Sequence, residues 1–161
     1  VPANVPAGIR LAPVRVLLVS NNEQKRARIS TSLGESWKTS VAHDGVEALH
    51  LAKTQEFDLV VTDEIAEPYG AFGLTRELKL LDAPPAVIVL LSRPQDAGLA
   101  RWSGADHAIV EPVSPRVLAA EAARVAAAGS VRRPGGPAGG DAPPEEASAD
   151  DVAEEQLSEP A

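Results

Sequence analysis

Five short apolar runs alternate with stretches of helical spacing between Val14 and Ala128, and that alternation is compatible with few folds. The runs are Val14 to Val19, Trp37 to Ala42, Leu59 to Thr62, Ala86 to Leu91 and His107 to Val110. Those starting at Val14, Leu59 and Ala86 are almost continuously apolar, the mark of strands buried on both faces. Helices are expected around Ile29 and Leu33, around Val46, Leu49 and Ala52, and around Leu74, Leu78 and Leu81. A short fourth helix spans Pro94 to Trp102, and a fifth carries Val117, Leu118, Glu121 and Val125. Asn21 or Asn22 caps the first helix and Gly34 stops it; Asp44-Gly45 turns into the second, and Ser114-Pro115 opens the last. The segment from Asp63 to Gly73, with Pro68 and Gly70, reads as a long strand–helix loop. Strands alternating with helices imply right-handed crossovers, hence an α/β fold with a doubly wound parallel sheet.

In such a sheet the carboxyl ends of the strands converge on one crevice, the usual place for a ligand or a reaction. The first run ends in Ser20, Asn21 and Asn22, the third in Asp63, the fourth in Ser92 and Arg93, and the fifth in Glu111-Pro112. The crevice therefore collects a central aspartate, two amides, two hydroxyls, a glutamate and an arginine.

Composition excludes several function classes. The chain has 161 residues and 44% hydrophobic content, enough for one domain with a real core. There is no cysteine, so disulfides, thiolate metal sites and a cysteine nucleophile are out. No apolar run approaches the roughly 20 residues needed to span a bilayer, and Val1 to Pro13 lack a signal-peptide core, so a cytoplasmic location is expected. His43, His50 and His107 show no ligand spacing, and no phosphate-loop or dinucleotide motif is present. The net charge of −8 is concentrated at the end of the chain. Residues 131–161 hold eight acids against Arg132 and Arg133, while residues 1–130 hold fifteen acids and thirteen bases. That Pro-, Gly- and Ala-rich tail has only Val131, Val152 and Leu157 as large apolar residues, so it is expected to be disordered from about residue 130. It serves as a solubilising terminus or as an acidic docking segment. A negative chain disfavours nucleic acid as a partner.

Several segments in order carry a family likeness. They are the strand into Ser20 to Asn22, "AHDGVEAL" at Ala42 to Leu49, "FDLVVTD" at Phe57 to Asp63, "VIVLLS" at Val87 to Ser92, "SGAD" at Ser103 to Asp106, and Glu111-Pro112. From Val14 to about Ala128 the chain resembles the CheY-like receiver domain of bacterial two-component response regulators. The resemblance implies a flavodoxin-like (βα)5 fold over residues 14–129, with strand order 2-1-3-4-5, preceded by a flexible N-terminus over residues 1–13. It implies that Asp63 stands at the phospho-acceptor position, and that Glu111-Pro112 matches a bond the family usually keeps cis.

The resemblance also defines what is missing. The family holds magnesium with an acidic pair after the first strand, and binds the phosphoryl oxygens with a hydroxyl after the fourth and a lysine after the fifth. Here the acidic pair is Ser20 and Asn21, both neutral; the hydroxyl survives as Ser92, and the lysine position holds Glu111. Magnesium binds mainly through carboxylates, and an anion at position 111 repels a phosphoryl group. The fourth helix, used by the family for output, is shortened by roughly one turn.

These departures lead to a degenerate pocket of Ser20, Asn21, Asp63, Ser92, Arg93, Glu111 and Pro112, with magnesium weak or absent and no catalysis. The chain reads as a pseudo-receiver: a signalling module working by phosphorylation-independent contact with protein partners, among them a second copy, through the fourth helix, fifth strand and fifth helix. Arg93 is expected to supply the missing cation to Asp63 or Glu111, and Trp102 to anchor the contact face. Each residue also has a purely structural role open to it: Asp63 as a capped strand end, Arg93 as a solvated arginine, Trp102 as core. Two rival functions stay open, a working receiver phosphorylated on Asp63, and an enzyme or small-ligand binder using the same crevice.

The composition of the tail generates the first prediction. Removing Val131 to Ala161 should leave the melting temperature almost unchanged, because the segment lacks core-forming residues. A large drop in a thermal melt would show that it docks on the domain.

Overall fold

A computed structural model describes residues 13–64 and 68–131. The expected N-terminal segment up to residue 12 and the acidic tail lie outside the described residues. Five strands, β1 (Val14–Val19), β2 (Trp37–Ala42), β3 (Leu59–Asp63), β4 (Ala86–Leu91) and β5 (His107–Val110), form one parallel sheet of order β2-β1-β3-β4-β5. The helices are α1 (Glu23–Leu33), α2 (Gly45–Thr54), α3 (Gly70–Lys79), α4 (Ala97–Ser103) and α5 (Pro115–Val131). A 3-10 turn, Pro94–Asp96, precedes α4. This is the flavodoxin-like topology expected.

Alternation along each strand builds two cores. Leu17, Val19, Val60, Val87 and Val89 face one way and pack with Leu49 of α2, Leu74 and Leu78 of α3 and Ala100 of α4. Val16, Leu18, Leu59, Val61, Ile88 and Leu90 face the other way, against Ile29 and Leu33 of α1 and Leu118, Ala122 and Val125 of α5. Every residue of β3 and β4 is buried, so these central strands have no solvated face. Each fully buried Leu, Ile or Val contributes about 1.5–3 kcal/mol relative to exposure.

The caps follow local chemistry. Asn22 accepts the Lys25 backbone N–H at the start of α1, and Asp44 accepts that of Glu47 at the start of α2. Gly104 ends α4 at φ +92, a left-handed turn that a side chain would oppose, and so lets the chain enter β5. One expectation is corrected: the connection after Asp63 is shorter, because α3 already starts at Gly70 and takes Gly73 into the helix. A helix tolerates such glycines when Ala71, Leu74 and Leu78 of the same face are buried. Among the described residues no helix is long and apolar enough to cross a membrane.

Leu74 and Leu80 separate packing from mere hydrophobicity, since Leu74 is fully buried and Leu80 is 78% exposed. Leu74→Ala should cost about 2–5 kcal/mol in urea unfolding, and Leu80→Ala less than about 0.5 kcal/mol. Equal effects would contradict the packing described.

Candidate functional site

The register of the sheet assembles the crevice. Val19 pairs with Thr62, Asp63 with Leu90, and Leu91 with Val110, so Ser20, Asp63, Ser92 and Glu111 all emerge at one edge. Asp63 is only 5% exposed and Ser20 only 1%. The Ser20 hydroxyl donates to Asp63 Oδ2 at 2.5 Å, in the range of a charge-assisted bond, and accepts the Asn22 N–H at 3.1 Å. The Ser20 carbonyl accepts from the Arg26 guanidinium. Ser20 therefore serves as a neutral bracket for the aspartate. Asn21 beside it is exposed.

The cation of the crevice comes from α1. Lys25 Nζ lies 2.8 Å from Glu111 Oε1 and 3.7 Å from Asp63 Oδ2, with its side chain 24% exposed. It bridges two carboxylates that would otherwise repel each other. Lys25 occupies the first turn of α1, where the helix dipole disfavours positive charge; the two carboxylates supply the compensating attraction. Asp63 Oδ1 is buried and has no hydrogen-bond partner among the described residues.

Arg93 does not take the role expected of it. Its guanidinium forks onto Asp96, Nε to Oδ2 and Nη2 to Oδ1, both at 3.1 Å, and its side chain is 69% exposed. The 3-10 turn at Pro94–Asp96 brings Asp96 back onto Arg93 three residues away, and this local pairing costs less ordering than a reach across the crevice. Hydrogen bonding with the Glu64 carboxyl, and then Arg93, holds the Asp96 carboxyl below its ordinary range. Any stability from this pairing is present above the usual carboxylate range and is lost as pH falls through the lowered value. Ser92 is exposed, and its backbone N–H donates to Glu64 Oε2 at 2.8 Å. The Glu111-Pro112 bond is cis, with Pro112 exposed at the rim. Trp102 is half-buried under the Arg76 guanidinium, 4.4 Å from its ring centroid, and so is neither a free anchor nor core.

Among the described residues the donor set does not fit a divalent metal. After β1 there are a hydroxyl already bonded to Asp63 and a neutral amide, and an ammonium stands 3.7 Å from the one central carboxylate. Sequence reasoning missed Lys25 and Glu64. The one signal for Lys25 was a basic residue in the first turn of a helix starting beside the crevice, against the dipole preference.

No protein-family model matches the chain. An uncharacterised response regulatory protein of Mycobacterium tuberculosis is 33% identical over 114 residues, which cover 65% of this chain and 85% of that protein. The transcriptional regulatory protein AfsQ1 of Streptomyces coelicolor is 31% identical over 106 residues, 64% of this chain and 47% of that protein. Among solved structures, the chemotaxis response regulator CheY4 of Vibrio cholerae superposes with a TM-score of 0.65 at 23% identity, covering 70% of this chain and 98% of that one. The signal receiver domain of a histidine kinase from Syntrophus aciditrophicus reaches a TM-score of 0.66 at 26% identity, covering 77% of this chain and 96% of that one.

Lys25→Ala should destabilise the chain by about 1–3 kcal/mol in urea unfolding, less than a fully buried pair because the lysine is partly solvated. Arg93→Ala should cost under about 0.5 kcal/mol, as expected of an exposed neighbouring pair. The reverse order would return the role of crevice cation to Arg93.

Proposed function

The chain belongs to the receiver-domain family of two-component response regulators, and on that premise we propose that it signals by protein contact without phosphorylation of Asp63. The observation that carries this reading is the Lys25 ammonium bridging Asp63 and Glu111. Phosphoryl transfer to a carboxylate depends on cations arranged to accept the incoming negative charge. In this crevice the ammonium is already neutralised by resident carboxylates, and Glu111 adds repulsion. A divalent ion would have to approach Asp63 against Lys25, without the acidic pair that would compensate. The pocket thus works as a structural closure, and magnesium has no role in it.

We assign the contact surface to α4, β5 and α5, where Leu99, Val110 and Val117 are exposed and Trp102 is half-buried. A protein partner in the cytoplasm, a second copy included, fits this apolar face. The net charge of −8 supports a protein rather than nucleic acid.

A second reading has one observation behind it. Asp63 Oδ1 is buried without a hydrogen-bond partner among the described residues, as a retained nucleophile would be. In that reading Lys25 swings from Glu111 to the phosphoryl oxygens.

Incubation with magnesium and a small phosphodonor, read by intact mass, discriminates the two. The native chain should stay unmodified, and calorimetric titration with magnesium should give no one-site isotherm. A stoichiometric phosphoryl mass on the native chain, absent from Asp63→Asn, would establish the second reading instead.

A further inference from the structure

Glu64 directly follows the phospho-acceptor position but turns away from it, across the crevice mouth. Its carboxylate accepts the Ser92 N–H at 2.8 Å, at the residue whose family counterpart meets the phosphoryl group. Its backbone carbonyl accepts the Ala71 N–H at the start of α3. On the far side, Asp96 is buried, takes the Arg93 fork, and donates its own N–H to the Arg93 carbonyl. The link between β4 and α4 is thereby tied to the end of β3 by groups that belong to the chain itself.

We propose that Glu64 is a positioning residue that stands in for a phosphoryl group, holding the segment from Ser92 to Ala97 in one anion-engaged arrangement. The proposal rests on the reading that this receiver works without phosphorylation, and it names the group that makes the state permanent. An anion delivered to Asp63 and an anion carried by Glu64 compete for the same loop, and Glu64, being part of the chain, acts at a high effective concentration. Because α4 starts at Ala97, the output face inherits whatever arrangement Glu64 imposes.

Hydrogen exchange of the backbone amides from Ser92 to Ala97, with Ser92 also followed by its amide proton shift, tests this on the full chain. In Glu64→Ala exchange in that segment should rise about tenfold or more, the loss expected for one hydrogen bond to a charged acceptor. The Ser92 amide proton should move upfield, while the amides of β1 and β3 keep their protection. Glu64→Gln retains an acceptor oxygen and should restore most of the protection and part of the shift. Unchanged exchange and shift in Glu64→Ala would overturn the proposal, as would a uniform rise that includes β1 and β3 and is not rescued by Gln. Treating the native chain with phosphodonor separates the two readings. A phosphoryl mass with unchanged Ser92–Ala97 exchange sinks the reading of the pocket but supports the role of Glu64, whereas a phosphoryl mass with altered exchange sinks both.

Discussion

A parallel sheet whose central strands are buried on both faces leaves only its two ends open to water, and everything distinctive in this protein follows from that constraint. All of β3 and β4 is enclosed between two helical layers. Polar side chains on those strands are confined to their termini, and a register fixed by alternating apolar faces brings the termini together. The crevice at the carboxyl edge is a consequence of packing before it is a site of chemistry. Asp63 is buried at 5% exposure because the strand that carries it is central.

A carboxylate held there needs compensation, and the chain supplies it in an unusual order. In the family that this chain belongs to, charge around the acceptor position comes from acids after β1 and a base after β5. Here Ser20 gives one short hydrogen bond, Glu111 brings a second acid, and Lys25 of α1 joins the two. The helix sacrifices favourable dipole energy to put a base in its first turn, and recovers it from two carboxylates at once. Ser20, Lys25 and Glu111 act as one unit, since removing the lysine would leave two acids facing each other in a partly desolvated crevice.

The neighbouring rim is organised separately. Arg93 has a carboxylate three residues away on a 3-10 turn, and Asp96 captures it before it can reach Asp63. Glu64 closes the gap between β3 and β4 through a backbone amide, a bond that leaves no trace in side-chain patterning. Trp102 is covered by Arg76 of a different helix, which reduces the free aromatic surface of the contact face.

The strand order followed from the family resemblance, while the sequence by itself determined the strands, most of the caps and the identity of the four strand-end groups. Each of these depends on local information: apolar continuity, capping residues such as Asn22 and Asp44, and motifs adjacent in the chain. It also showed that the family's acids and lysine were absent. It could not show which cation replaced them, because Lys25 and Arg93 are equivalent as charges and differ only in where their backbones start. Only the tertiary structure decided that α1 aims Lys25 over the sheet edge toward Asp63 and Glu111, while the turn after Ser92 folds Arg93 onto Asp96. The start of α3 at Gly70 was decided the same way, by burial of Ala71 and Leu74 outweighing the poor helix propensity of glycine. Long side chains choose partners by the geometry of their anchoring elements, and that geometry exists only once the two cores have packed.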